Sequence, residues 1–172
     1  MLDFAKSNRG IFTVIAVVGA VLIVIALYMQ YQMDLQPCNL CMFQRFFVIA
    51  AALSAALAAL HGTLYDYLNS WVSKFYALLV IVFACLGALT AGRQLWLQSL
   101  PADKVPACGP DLDYMLDAYP FMEMVTEVFQ GSGDCAKTQW LFMGLSIPGW
   151  TLLCFLAAII LAGIVLFRRT AR

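Results

Sequence analysis

The chain has 172 residues, 63% of them hydrophobic and 12% charged, with ten basic and ten acidic side chains and a formal net charge of zero. Soluble domains carry roughly 25% charged residues, so this composition excludes an ordinary soluble globule, as does a mean hydropathy of +0.86. Zero net charge also lacks the electrostatic footprint of a nucleic-acid binder, and one integral membrane domain covering residues 1–172 is expected.

Lys6 and Arg9 precede the first apolar stretch, Ile11 to Met29. Crossing a hydrocarbon core of ~30 Å takes about 20 apolar residues. The stretch exceeds the apolar region of a cleaved leader, and bulky Tyr28-Met29-Gln30-Tyr31-Gln32 follows where a small-residue cleavage site would lie. It reads as a retained anchor. The outer segment 30–41 then leads through Pro37 to Cys38-Asn39-Leu40-Cys41, and the second span runs from Met42 to Leu60.

A Cys-x-x-Cys pair is a redox or metal device. Zinc takes about four ligands, and the single histidine, His61, falls at the opposite end of the second span, so no metal is expected. Pro37 and the apolar run place the pair on a helix's first turn, where the positive end of the helix favours thiolate. Arg45 lies one turn beyond Cys41 on the same face. A dithiol at the lipid boundary with a cation just inside it suits electron transfer to something dissolved in the membrane. A disulfide closing so small a loop adds little stability, which weighs against a purely structural pair.

The third span runs from Val72 to Gly92. Arg93 follows, as a headgroup anchor or a second ligand contact, and opens a long outer loop, 93–146. Loops of that length are generally functional. Leu112, Met115, Leu116, Tyr119, Met122, Val125 and Phe129 recur near helical spacing. They predict one or two short amphipathic helices, broken near Pro120, along the membrane surface. Cys108, within Pro106-Ala107-Cys108-Gly109-Pro110, and Cys135, after Gly131-Ser132-Gly133-Asp134, are expected on mobile arms suited to docking and exchange. The fourth span runs from Ile147 to Phe167. Ala51, Ala55, Ala59, Gly87, Ala88, Ala91 and Gly92 would allow close helix contacts. The expected fold is an all-α membrane protein: a four-helix transmembrane bundle with a long outer loop carrying short amphipathic helices.

Positive charges near the ends set orientation. Lys6, Arg9, Arg168, Arg169 and Arg172 place both termini in the cytoplasm, and the acidic loops face outward. Of the six cysteines, Cys38, Cys41, Cys108 and Cys135 then lie outside, where disulfides persist. Cys85 and Cys154 lie within spans and read as small core hydrophobes. Four cysteines allow three connectivities; the local pairs Cys38–Cys41 and Cys108–Cys135 are the simplest.

The four spans, Pro37-Cys38-Asn39-Leu40-Cys41 with Gln44-Arg45, Cys108, and Ser132-Gly133-Asp134-Cys135-Ala136 together resemble the DsbB family, quinone-dependent thiol oxidases of the bacterial inner membrane. Trp140 and Ser146-Ile147-Pro148-Gly149-Trp150 fit as well. The resemblance implies a periplasmic thioredoxin-fold oxidase of the DsbA type as partner and ubiquinone or menaquinone as acceptor. It implies that the partner attacks Cys108 and releases Cys135, that Cys135 attacks Cys38, and that the freed Cys41 meets the quinone beside Arg45. Two rivals stand beside it. A vitamin K epoxide reductase-like protein shares a membrane bundle and a CxxC, expected near a later helix. A non-catalytic scaffold with two structural disulfides would keep both pairs oxidised.

Overall fold

The computed structural model describes residues 7–64, 70–107, 109 and 112–168. Four long helices carry the architecture: α1 (Asn8–Gln32), α2 (Asn39–Leu64), α3 (Ser70–Gln98) and, after the intervening short elements named below, α7 (Ile147–Phe167). All four are long and apolar enough to cross a membrane. Ser7 caps α1, its Oγ accepting from Gly10 N at 3.2 Å. Pro148 lies in the first turn of α7, where its missing N–H costs nothing. α3 continues past the expected end at Gly92 to Gln98. Arg93, Gln94 and Gln98 are therefore helical, and their polar groups are met by protein.

α3 packs chiefly on α7 and α2, and α1 packs on α2. Small side chains make these contacts close: Ala55, Ala58, Ala77, Ala84, Ala91 and Ala162 are fully buried. A Cβ on Gly87 would overlap the Phe155 ring, and one on Gly19 would stand 2.6 Å from Ala52 Cβ. Gly92, expected in the same role, faces open space. Exposed Val17, Val24, Leu53, Leu57, Leu89 and Ile160 supply an apolar outer face, which in lipid carries no penalty. Cys85 belongs to that exposed face and Cys154 is half-buried, so neither is the core residue expected. His61 lies inside α2 and its Nδ1 sits 3.0 Å from Tyr76 Oη, tying α2 to α3.

Between α3 and α7 the chain forms a 3-10 turn (Ala102–Lys104), α4 (Leu112–Ala118), α5 (Phe121–Gln130) and α6 (Gly133–Ala136). The break at Pro120 falls where expected. The buried stripe is narrower than the spacing suggests: Met115, Met124 and Val128 are buried, whereas Leu116 and Met122 are exposed. Those three pack with Leu40, Leu97, Cys38 and Cys135 into a second core at the CxxC end of the bundle. A small hairpin, β1 (Leu141–Phe142) with β2 (Leu145–Ser146), precedes α7. Its turn, Met143-Gly144, has both φ values positive, 52° and 80°, the geometry of a two-residue hairpin.

Candidate functional site

Cys38 lies just before α2 and its carbonyl accepts from Met42 N at 3.1 Å, closing the first turn. That turn brings Cys41 Sγ to 3.0 Å from Cys38 Sγ. The two sulfurs are thereby placed side by side, as the expected Cys38–Cys41 bridge requires. They stand inside van der Waals contact.

Cys135 joins them from α6. It is fully buried, and its sulfur is hydrogen-bonded to Cys38 and to the backbone N–H of Leu40 on the first turn of α2. The positive end of α2 therefore serves a sulfur delivered by another segment. This corrects the expectation of a mobile arm at Cys135. The glycines there are not slack. Gly131 has φ 78° and ψ 150°, a region essentially reserved for glycine, and a Cβ on it would overlap Leu97. Arg93 holds the same corner: its Nε donates to the Phe129 carbonyl at 3.0 Å and its Nη2 to the Gln130 carbonyl at 2.9 Å. These are terminal carbonyls of α5, which a cation suits. Arg93 is thus a helix cap, stacked 4.2 Å over Trp96.

Hydrogen bonding polarises the cluster. The bonds to Cys135 and Cys41, then burial, push the Cys38 thiol far above its ordinary value. Cys135 is pulled down to about 6, chiefly by the hydrogen bond from Cys38, with help from the N–H groups of Leu40 and Ser132. The shared hydrogen bond thus favours the proton on Cys38 over Cys135.

Gln94 sits under the pair. Its Nε2 donates to Cys41 Sγ at 3.2 Å and to Cys38 Sγ at 3.4 Å. Its Oε1 accepts from Gln44 Nε2 at 2.7 Å, and Gln44 Oε1 accepts from Thr151 Oγ1 at 2.7 Å. The sequence alone assigns Gln94 and Thr151 no role. The available signal was an amide inside an otherwise apolar span, which in a membrane calls for a partner. Beside Cys41 a cavity of about 20 Å³, room for about one water, is lined also by Gln98, Lys137 and Trp140.

Arg45 lies on α2 one turn beyond Cys41 and is half-buried. Its guanidinium turns toward α1, donating to Gln30 Oε1 and, at 3.2 Å, to the Ala26 carbonyl. Exposed Met42 and Phe46 flank it. Cys108 lies outside the described residues. Its neighbour Ala107 accepts from Gly133 N at 3.2 Å, two residues before Cys135. Beyond that bond, a cleft of about 440 Å³ is lined by Asn39, Arg93, Pro106, Glu127 and Ser132. Among the described residues no group of three or more His, Cys, Asp or Glu is placed to hold a metal.

Residues 8–165 match the family described as Disulfide bond formation protein DsbB. The chain belongs to the DsbB family. It is 48% identical over 163 residues to Disulfide bond formation protein B of Marinobacter nauticus, covering 95% of this chain and 94% of that relative. The protein of the same name from Hahella chejuensis is 49% identical over 150 residues, 87% of this chain and 88% of the relative. That of Stutzerimonas stutzeri is 42% identical, covering 95% and 97%. The DsbB-family chain is thus a multi-pass membrane oxidoreductase of disulfide bond formation.

Proposed function

We propose that this protein is a bacterial inner-membrane thiol oxidase that reoxidises a periplasmic DsbA-type dithiol protein and passes the electron pair to ubiquinone or menaquinone. Both termini are cytoplasmic on this reading, and the loops 30–41 and 93–146 are periplasmic. The observation that carries it is the meeting of Cys135, from the long loop, with Cys38 and Cys41 at the head of α2.

The chemistry is a chain of thiol–disulfide exchanges, each driven by thiolate access. A partner thiolate attacks Cys108 of a Cys108–Cys135 disulfide, and Cys135 leaves as thiolate. The hydrogen bond between Ala107 and Gly133 supports that pairing. Cys135 attacks Cys38 of the Cys38–Cys41 disulfide, and Cys41 leaves as thiolate. The partner's second thiol then releases itself oxidised and frees Cys108. Cys108 attacks Cys135, restoring the loop disulfide and leaving Cys38 and Cys41 as a reduced pair.

The quinone supplies a two-electron, two-proton acceptor for that pair. The residues present fit it. Cys41 is half-buried at the lipid boundary, Arg45 offers N–H donors beyond the two it spends on α1, and Met42 and Phe46 give an apolar flank. Arg45 would hold a ring oxygen and, as a fixed cation, favour negative charge both there and on Cys41.

The test is quinone reduction by the purified protein with a reduced thioredoxin-fold dithiol partner, comparing benzoquinone and naphthoquinone acceptors. Turnover that vanishes in Cys41→Ser is expected. No turnover, with both cysteine pairs oxidised whatever the acceptor, would make the protein a disulfide-stapled scaffold.

A further inference from the structure

We propose that Gln94 is a catalytic residue of the exchange at the head of α2, receiving the Cys41 sulfur on its amide Nε2 as that sulfur leaves. Gln44 and Thr151 are positioning residues that fix the sense of the Gln94 amide. The inference rests on the exchange order above and adds residues that order does not use.

When Cys135 attacks Cys38, the Cys135–Cys38 bond forms and the Cys38–Cys41 bond breaks. The electron pair of the broken bond departs on Cys41, and no proton need move. A better-stabilised leaving thiolate leaves faster. Gln94 Nε2 is 3.2 Å from that sulfur, within reach of a charge-assisted bond. Gln94 and Gln44 are each only 3% exposed, so the donating amide acts at low dielectric.

An amide can present N–H or C=O, and only N–H favours an anion. The neighbours decide. Gln94 Oε1 is engaged by Gln44 Nε2, and Gln44 Oε1 by the Thr151 hydroxyl. The Thr151 hydroxyl also has the Pro148 carbonyl at 3.0 Å, and Gln94 Oε1 stands 3.5 Å from Cys41 Sγ against 3.2 Å for Nε2. With the Thr151 proton on the nearer Gln44 Oε1, at 2.7 Å, the amide donors of Gln44 and Gln94 run toward the sulfurs. No buried side-chain N or O among the described residues lacks a partner, so turning one amide would leave an unmatched pair in the next. The ionisable groups around Cys41 are Cys38 and Cys135, the Asp134–Lys137 ion pair, whose members both line the adjoining cavity, and Arg45 on its own helix.

The test needs neither quinone nor partner. In Cys38→Ser protein freed of quinone, the alkylation rate of Cys41 is followed against pH by peptide mass spectrometry. Gln94→Leu is expected to move the midpoint up by about one unit, tenfold less thiolate on the rising limb. Gln94→Glu, which sets an anion there, is expected to move it further. Thr151→Val and Gln44→Leu should move it the same way by less. Superimposable profiles for Gln94→Leu and the parent overturn the proposal. If Gln94→Leu does not fold, Thr151→Val decides, and an unmoved midpoint overturns it equally. Failure of the parent to reduce quinone, with the midpoint moved as expected, would instead remove the proposed acceptor and not the exchange order on which this reading rests.

Discussion

Gly131→Ala should separate the sulfurs without unfolding the bundle. Gly131 has φ 78° and ψ 150°, where a residue with a side chain is strained by about 1–3 kcal/mol. Its new Cβ would overlap Leu97, which is fully buried in α3, and overpacking adds about 1–3 kcal/mol. The sum, about 2–6 kcal/mol, exceeds what a one-turn helix such as α6 can resist by local packing. The cheaper response is for residues 131–136 to lift away. Cys135 then loses Cys38 and the N–H of Leu40. At about 1.4 kcal/mol per decade, closure of the Cys38–Cys135 bond should slow at least thirtyfold. The assay is the rate of that closure under a mild oxidant in a Cys41→Ser, Cys108→Ser background, read by peptide mapping. Gly144→Ala is the control. Gly144 also has positive φ, 80°, but its Cβ would meet nothing within 4 Å. Equal closure rates for Gly131→Ala and the parent would refute the claim that this backbone places Cys135.

In reduced protein, thiolate absorbance in the ultraviolet should show a step near pH 6 that is absent from Cys135→Ser and moves up in Cys38→Ala, which removes its largest cause. Because the folded value is depressed, the stabilisation is complete above the ordinary thiol range and fades as pH falls through about 6; a step only at ordinary thiol pH would sink this. Arg45→Met should weaken quinone use about tenfold or more while Arg45→Lys retains part of it; steady-state quinone reduction reads both, and wild-type rates in Arg45→Met would leave Arg45 a mere tie to α1. Arg93→Ala removes two bonds to the end of α5 and should slow Cys38–Cys135 closure several-fold with little change in quinone affinity. A changed quinone KM with unchanged closure would place Arg93 at the acceptor instead.

The spans were legible because a near charge-free run of about 20 residues is long enough to cross a bilayer and too apolar for a water-facing helix. Their ends were not. Polar side chains stop a hydropathy run, yet Arg93, Gln94 and Gln98 continue α3 because protein groups satisfy them. The CxxC was legible because its geometry is local, one helical turn. Gln94 was not, because its partners are 50 or more positions away in Gln44, Cys38 and Cys41. The Gly131–Gly133 segment reads as slack by composition, but one of its glycines serves a backbone angle and a close approach to Leu97. The hairpin at 141–146 escaped notice because two-residue strands are too short for alternation to register.

Burial in the cluster argues for the order of electron flow. Cys38 is 9% exposed and Cys135 is not exposed at all. A folded partner protein cannot bring a sulfur in line with either without first opening α6. A thiolate on the same chain can, and the hydrogen bond from Gly133 to Ala107 already joins the segment preceding Cys108 to the one bearing Cys135. On the proposed reading, external thiols therefore act at Cys108, and Cys135 carries the exchange inward. The buried sulfurs gain twice from this. Cys135 meets the N–H of Leu40 and Cys38 the amide of Gln94, and stray thiols are kept from short-circuiting the pair at the head of α2. A design with Cys38 exposed would react with any thiol; here the loop selects the donor and the bundle keeps the acceptor side apart.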